Sequence, residues 1–149
     1  MTEYFETTVD KFTFRVAKDR FYNAEGVWVL MDGNQAHIGL ADFLQQRSGD
    51  VAFAEVKPIG SRLVQGDEIA VIETIKVDIS LSSPVSGEVL EVNPSMESAP
   101  EVINQDPFGE GWLAVVKVEN WESDRTSLFD SEAYFAKMKA QAEEENENL

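Results

Sequence analysis

The sequence predicts a mainly β chain folded as a compact sandwich or flattened barrel. Three observations predict it. Short stretches alternate apolar with polar residues, and Gly60, Gly66, Pro84, Gly87 and Pro94 punctuate them with turn signals. The chain has 149 residues, enough for one domain with a real core. Its hydrophobic content of 43% and aromatic content of 10% are those of an ordinary globule.

The elements follow in order. Phe12, Phe14 and Val16 alternate with polar neighbours and predict a first strand. Val27–Met31, the Asp32-Gly33-Asn34 turn and Ala36–Leu40 predict a hairpin. Ala41–Gln46 reads as a short helix closed by Ser48-Gly49. Further strands are expected at Val51–Val56, Glu68–Glu73, Val77–Leu81, Glu88–Val92 and Trp112–Val118. Asp130 or Ser131 caps a C-terminal helix whose apolar face carries Phe135, Met138 and Ala142. One domain is expected over residues 1–142, followed by a frayed acidic tail at 143–149. A faint repeat runs through the chain: Ser48-Gly49-Asp50-Val51 and Ser86-Gly87-Glu88-Val89 each lead, after a loop, to an apolar strand.

Composition excludes several classes of function. The net charge of −16 repels phosphate backbones, so nucleic acid is not an expected partner. The same surface would steer the chain towards basic docking patches. No run approaches the roughly 18 apolar residues that span a bilayer, and no membrane partner is expected. The stretch Met1-Thr2-Glu3-Tyr4-Phe5-Glu6 has neither a basic nor an apolar region of the signal-peptide kind, so a cytoplasmic location is the default expectation. With no cysteine, there is no thiolate nucleophile and no cysteine-ligated metal. The one histidine, His37, lies in a predicted strand and reads as structural. An enzyme of its own is therefore not expected, and no metal site is.

The residue that carries chemistry is Lys76, in Glu73-Thr74-Ile75-Lys76-Val77-Asp78. Apolar alternation on both sides places it at the tip of a hairpin, held out into water. An amine so placed is open to a modifying enzyme without any unfolding. Glu73, Thr74, Ile75, Val77 and Asp78 are the flanking residues by which such an enzyme would recognise it. Trp28, Phe53, Phe108 and Trp112 are the aromatic candidates for sheltering a loaded arm.

The spacing from Lys76 to Ser83-Pro84-Val85-Ser86-Gly87 resembles that of lipoyl and biotinyl carrier domains. So does the preceding loop, Ile59-Gly60-Ser61-Arg62-Leu63-Val64-Gln65-Gly66-Asp67. The segment from Asn93-Pro94-Ser95-Met96 to Asn104-Gln105-Asp106-Pro107-Phe108-Gly109-Glu110-Gly111-Trp112 is similar to that of the glycine cleavage system H protein family. Ile38-Gly39-Leu40-Ala41-Asp42-Phe43, Gly49-Asp50-Val51 with Phe53, and Asp130-Ser131-Glu132-Ala133-Tyr134 are similar to it too. The resemblance covers Trp28 to Tyr134. It implies a barrel-sandwich hybrid of the lipoyl/biotinyl carrier type, with short flanking helices and a C-terminal helix. It also implies lipoic acid in amide linkage on Lys76. Biotin carriers flank their lysine with methionines, where this chain has Ile75 and Val77.

The implied role is a swinging arm that shuttles a covalently bound aminomethyl group between glycine cleavage enzymes. The implied partners are also a lipoate ligase or lipoyl transferase and dihydrolipoamide dehydrogenase. One departure keeps a second reading open: the family's His-Glu-Trp is Gly26-Val27-Trp28 here. H-like lipoate-binding proteins of a heterodisulfide-reductase-like sulfur oxidation complex carry sulfur intermediates instead. A third reading is a non-lipoylated acidic binding module of the same fold.

Overall fold

A computed structural model describes residues 2–148. The chain opens with β1 (Tyr4–Val9) and β2 (Phe12–Ala17), then β3 (Phe21–Tyr22), β4 (Val27–Asp32), β5 (Gln35–Leu40) and α1 (Asp42–Ser48). The middle holds β6 (Val51–Val56), β7 (Arg62–Leu63), β8 (Glu68–Thr74), β9 (Asp78–Ser82) and β10 (Gly87–Val92). It ends with α2 (Ser95–Ser98), α3 (Val102–Gln105), β11 (Ala114–Val118), α4 (Trp121–Asp124), a 3₁₀ turn (Arg125–Ser127) and α5 (Ser131–Glu147). The strands make a six-stranded sheet in the order β3-β4-β5-β11-β10-β7, a three-stranded sheet β6-β8-β9, and a separate β1-β2 hairpin. All pairings are antiparallel. This is the mainly β barrel-sandwich hybrid with flanking helices.

Two buried clusters hold it. The first lies between the two larger sheets and includes Val27, Val29, Ile38, Leu40, Ile69, Ile72, Leu81 and Val116. The second, under the hairpin and α5, joins Phe14, Val16, Tyr22, Trp28, Phe43, Tyr134 and Met138. Val27 and Val29 belong to the first cluster and Trp28 to the second, so β4 is buried on both faces. That explains why its sequence is an unbroken apolar run rather than an alternation. The β4–β5 hairpin turns through Gly33-Asn34, with Gly33 at φ 65°. A Cβ at Gly39 would lie 2.5 Å from the Trp28 ring, so only glycine lets the indole lie flat across β5.

The faint repeat is visible in the pairing. Gly49-Asp50-Val51 feeds β6, which pairs β8; Gly87-Glu88-Val89 feeds β10, which pairs β11. Both ladders shift register just after the repeat's valine, at Val51/Phe53 and at Val89/Glu91. The two halves thus share a bulge as well as a motif.

Three expectations need correction. First, residues 4–9 form β1, which the sequence analysis passed over because none of its residues is fully buried and its alternation is weak. Secondly, the Asn93–Trp112 segment contains α2 and α3, four residues each and too short to show a period. Thirdly, α5 runs on to Glu147, so in the structure most of the acidic tail set apart at residue 143 is the last turn of that helix. An Arg47–Glu145 ion pair at 2.9 Å ties that turn to α1. Met1 and Leu149, the outer limits of the two expected segments, lie outside the described residues. At the helix start Asp130 is the cap, accepting the Ala133 N–H at 2.8 Å. Its buried stripe is Tyr134, Met138 and Ala142; Phe135 is half-buried and stacks on Phe5 instead.

Tyr22 and Tyr134 stack with ring centroids 4.3 Å apart, and Tyr22 donates its hydroxyl to the Ala17 carbonyl at 2.7 Å. Burial pushes both hydroxyls above the ordinary tyrosine value of 10.0. The folded chain therefore keeps protons that the unfolded chain releases. The resulting stability is complete below about pH 10 and declines as pH rises beyond it. Urea denaturation across that range should show the decline, and Tyr22→Phe should lessen its steepness while lowering stability at neutral pH by about 1 kcal/mol.

Candidate functional site

Lys76 sits at the centre of Ile75-Lys76-Val77, the turn between β8 and β9, and it is exposed. It enters none of the ion pairs among the described residues. Its neighbours divide by role. Ile75 is 74% exposed and Val77 48%, so two branched apolar side chains face water beside the amine. Phe53, on β6 opposite Glu73, adds a third at 67% exposure. Glu73 and Asp78 are both exposed and stand directly opposite one another in the β8–β9 ladder.

Thr74, expected as a recognition residue, builds the turn. Its side-chain oxygen accepts the N–H groups of Lys76 at 3.2 Å and Val77 at 3.0 Å. The hydroxyl proton has two acceptors within reach, the carbonyls of Ser48 and Val77, each at 2.8 Å. The Thr74 N–H donates to the Val77 carbonyl at 2.8 Å, and Ile75 donates to the Asp50 carbonyl at 3.1 Å. Thus the lysine tip is pinned both to itself and to the Ser48-Gly49-Asp50 corner.

That corner is held from behind by Asn104, on α3. Its side-chain carbonyl accepts the Val51 N–H at 2.8 Å, and its amide donates to the Gly49 carbonyl at 3.1 Å and to Gln45 Oε1 at 3.0 Å. Gly49 is needed twice over. Its φ of 92° closes α1, and a Cβ there would sit 3.2–3.4 Å from Cδ, Cε and Cγ of Lys76. The lysine's aliphatic stem therefore lies across the glycine. Neither Asn104 nor Gly49 was picked out as a site residue from the sequence, although both lie in motifs read there. What hid them was distance: 28 residues separate Lys76 from Asn104.

At the far end of the β8–β9 hairpin, Ser83-Pro84-Val85-Ser86-Gly87 is a buried junction. Buried Asp124 accepts the Ser86 N–H at 2.7 Å, and Gln65 donates to the carbonyls of Pro84 at 3.0 Å and Asp124 at 2.8 Å. A Cβ at Gly87 would lie 1.9 Å from the Lys117 carbonyl oxygen. This motif fixes the base of the hairpin and does not touch its tip.

Of the aromatic candidates, Phe53 stands beside the tip and the other three are engaged elsewhere. Trp28 is buried and donates from Nε1 to the Pro107 carbonyl at 3.0 Å; Arg20 lies over both Trp28 and Phe108. Trp112 meets the His37 ring edge-on. Buried His37 Nδ1 has no hydrogen-bond partner among the described residues. Among the described residues no cluster of three or more His, Asp or Glu is placed to hold a metal. No helix among them is long and apolar enough to cross a membrane. The rings that do line a cleft with Lys76 are Phe12, Phe14 and Phe43.

A hairpin that presents an exposed lysine at its tip, on a hybrid of two sheets, is the architecture of a carrier domain. The comparisons narrow the class. The family model for the glycine cleavage H-protein matches residues 20–141, and the chain belongs to that family. It is 36% identical over 127 residues to the glycine cleavage system H protein of Thermus thermophilus, covering 85% of this chain and 98% of that one. With the H protein of Symbiobacterium thermophilum it is 40% identical over 121 residues, 81% and 94% of the two chains. The crystal structure of a glycine cleavage system H protein from Mycobacterium marinum superposes with a TM-score of 0.71 at 26% identity, covering 80% of this chain and 96% of that one. Proteins of this family are carriers, not enzymes, and bear lipoate covalently on a lysine.

Thr74→Val removes the acceptor of two turn amides while keeping the branched shape. The expected cost is about 1 kcal/mol, confined to the tip. Amide hydrogen exchange at residues 75–77 should quicken by roughly five- to tenfold, with the rest of the sheet unchanged and Thr74→Ser close to wild type.

Proposed function

We propose that Lys76 is the lipoyl attachment site and that the protein carries an aminomethyl group between the enzymes of glycine cleavage. The observation that carries this is the tip itself: an exposed amine on a turn whose backbone is fixed by Thr74. A modifying enzyme meets that amine without unfolding anything. The chain has no cysteine, and the dithiolane supplies the thiol chemistry its own residues lack. The protein's contribution is position. A tether on a rigid tip turns each transfer into an encounter at high effective concentration, so one arm serves several active sites.

Glu73, Asp78 and the exposed Ile75, Val77 and Phe53 give the tip an acidic, apolar-centred face. Such a face suits the basic docking surfaces of a lipoate ligase or lipoyl transferase, the glycine cleavage enzymes and dihydrolipoamide dehydrogenase. Intact mass after co-expression with a lipoate ligase should show a single lipoyl increment, absent from Lys76→Arg. An unmodified wild type under those conditions would refute the assignment. Lipoylation should also slow as salt rises from low to physiological ionic strength, because the steering charges are exposed.

One observation favours a second cargo. Gly26 and Val27 stand where the family's His-Glu pair is expected; Val27 is buried in the first core cluster and Gly26 packs against Tyr134. Neither supplies a charge. The alternative is therefore a sulfur-carrying role with a heterodisulfide-reductase-like complex. Mixing the lipoylated protein with glycine decarboxylase and labelled bicarbonate separates the two. Exchange of label into glycine is the expected result, and its absence would favour the sulfur role.

A further inference from the structure

The outer face of the three-stranded sheet carries a second cleft, distinct from the one that Lys76 borders. Phe53 stands opposite Glu73, and Glu55 opposite Val71, in the β6–β8 ladder. Two apolar and two acidic side chains therefore alternate on one face. α2 closes one side with Met96 and Glu97, and the space enclosed is about 390 Å³. Met96 is buried and Val71 half-buried, whereas 67% of Phe53 is open to water. Glu55, Glu73 and Glu97 are exposed, and none of them enters an ion pair among the described residues. Phe53 is the telling residue. Elsewhere this chain sets its own cations over its rings: Lys11 over Phe12, Arg15 over Tyr4, Lys18 over Phe5 and Arg47 over Phe43. Among the described residues Phe53 has neither a cation nor a second ring against it.

From these contacts we infer that the cleft is the docking site for an arginine-bearing segment of the enzyme that attaches the lipoyl group. The inference deepens the proposal that Lys76 is lipoylated and rests on it. Three carboxylates line the cleft and no lysine or arginine does, so its charge calls for a cation. The bare ring selects among cations. A guanidinium is planar and weakly hydrated, so it stacks on an aromatic face while its edge donates to a carboxylate; an ammonium holds its water more tightly. Val71 and Met96 form an apolar floor that takes the aliphatic stem of such an arginine. Glu73 belongs both to the cleft and to the run that leads to Lys76, three residues on. An enzyme anchored here grips the hairpin beside the amine, by side chains that take no part in the acylation itself.

The test measures the steady-state lipoylation of the full chain by a purified lipoate ligase, read by intact mass. Wild type is compared with Phe53→Ser, Phe53→Leu, the pair Glu55→Gln/Glu97→Gln, and the charge-matched pair Glu132→Gln/Glu143→Gln on α5. Docking predicts that Phe53→Ser raises KM roughly tenfold. The Glu55/Glu97 pair should raise it roughly three- to tenfold and flatten its salt dependence. In both cases kcat should stay within about twofold, because the chemistry is untouched. Phe53→Leu, apolar but without a ring, should behave like Phe53→Ser, and the α5 pair like wild type. As a second readout, the Lys76→Arg chain competes with wild type for the ligase, and adding Phe53→Ser to it should weaken that inhibition by the same factor. Cleft variants with the KM of wild type, or a loss matched by the α5 pair, would overturn the docking site and leave the carrier role intact. Phe53→Leu with the KM of wild type would overturn the stacked arginine. A wild-type chain that the ligase leaves unmodified would overturn the carrier proposal as well, and the mass measurement identifies that case.

Discussion

Everything functional in this fold depends on keeping three residues rigid outside the sheet. Ile75, Lys76 and Val77 leave the β8–β9 ladder, so their amides lose their strand partners and must find others. Thr74 answers that demand with one oxygen that takes two of the amides. Its hydroxyl proton and the Ile75 amide then fasten the tip to the corner before β6, and Asn104 fastens that corner to α3. Each bond is worth about 1 kcal/mol at most, but they act in series. Loosening Asn104 therefore reaches Lys76 through Gly49 without either side chain touching the other. A flexible lysine would be as exposed, yet a tip of fixed direction would give the proposed tether a defined origin.

The same tip carries an electrostatic cost that the fold tolerates. Glu73 and Asp78 are directly opposite in an antiparallel ladder, an arrangement that disfavours the pair by a few tenths to about 1 kcal/mol. Around them lie Phe53, Ile75 and Val77, whose exposure gains nothing for the isolated chain. Both features become favourable together when a basic, partly apolar surface covers the hairpin. The overall charge of −16 extends the attraction beyond contact range until salt screens it, over roughly 8–10 Å at physiological strength. Stability within the chain and fitness for a partner thus pull in opposite directions at this one place.

How much of this was legible depended on the range of the interaction. The β8–β9 hairpin with Lys76 at its tip followed from alternation on either side, and the strand Val51–Val56 was placed to the residue. The SG(D/E)V repeat proved to mark matching ladders, each with a bulge one step on. What stayed hidden were short or two-faced elements: β1 without a fully buried residue, the two-residue β3 and β7, and the single-turn α2 and α3, none long enough to show a period. The part Thr74 plays in the turn stayed hidden, because a sequence shows a flanking hydroxyl but not which amides it will receive. Of the aromatics expected to shelter an arm, Phe53 stands beside the tip, while Trp28 and Phe108 lie together under Arg20. Phe12, Phe14 and Phe43 come together only through the folding of the hairpin over α1.

On the proposed carrier role, the question of cargo turns on which polar groups the chain itself can offer near Lys76. In β4 the side chain at position 27 faces the first core cluster, so Val27 there is packing and cannot reach a cargo. Glu25, two residues earlier, has its carboxylate engaged by Ser82 at both the N–H, 2.9 Å, and the hydroxyl, 3.0 Å. The surface on this side therefore presents no free acid along Glu25-Gly26-Val27 to hold a cationic group. Lys76 itself borders a cleft lined by Phe12, Phe14 and Phe43 together with the Arg47–Glu145 ion pair. The acids that the chain does set beside Lys76 are Glu73 and Asp78, both exposed at the hairpin tip. On the proposed carrier role, the choice between an aminomethyl group and sulfur would fall to the enzymes that load and unload Lys76, and to which of them carries a surface complementary to the acidic tip.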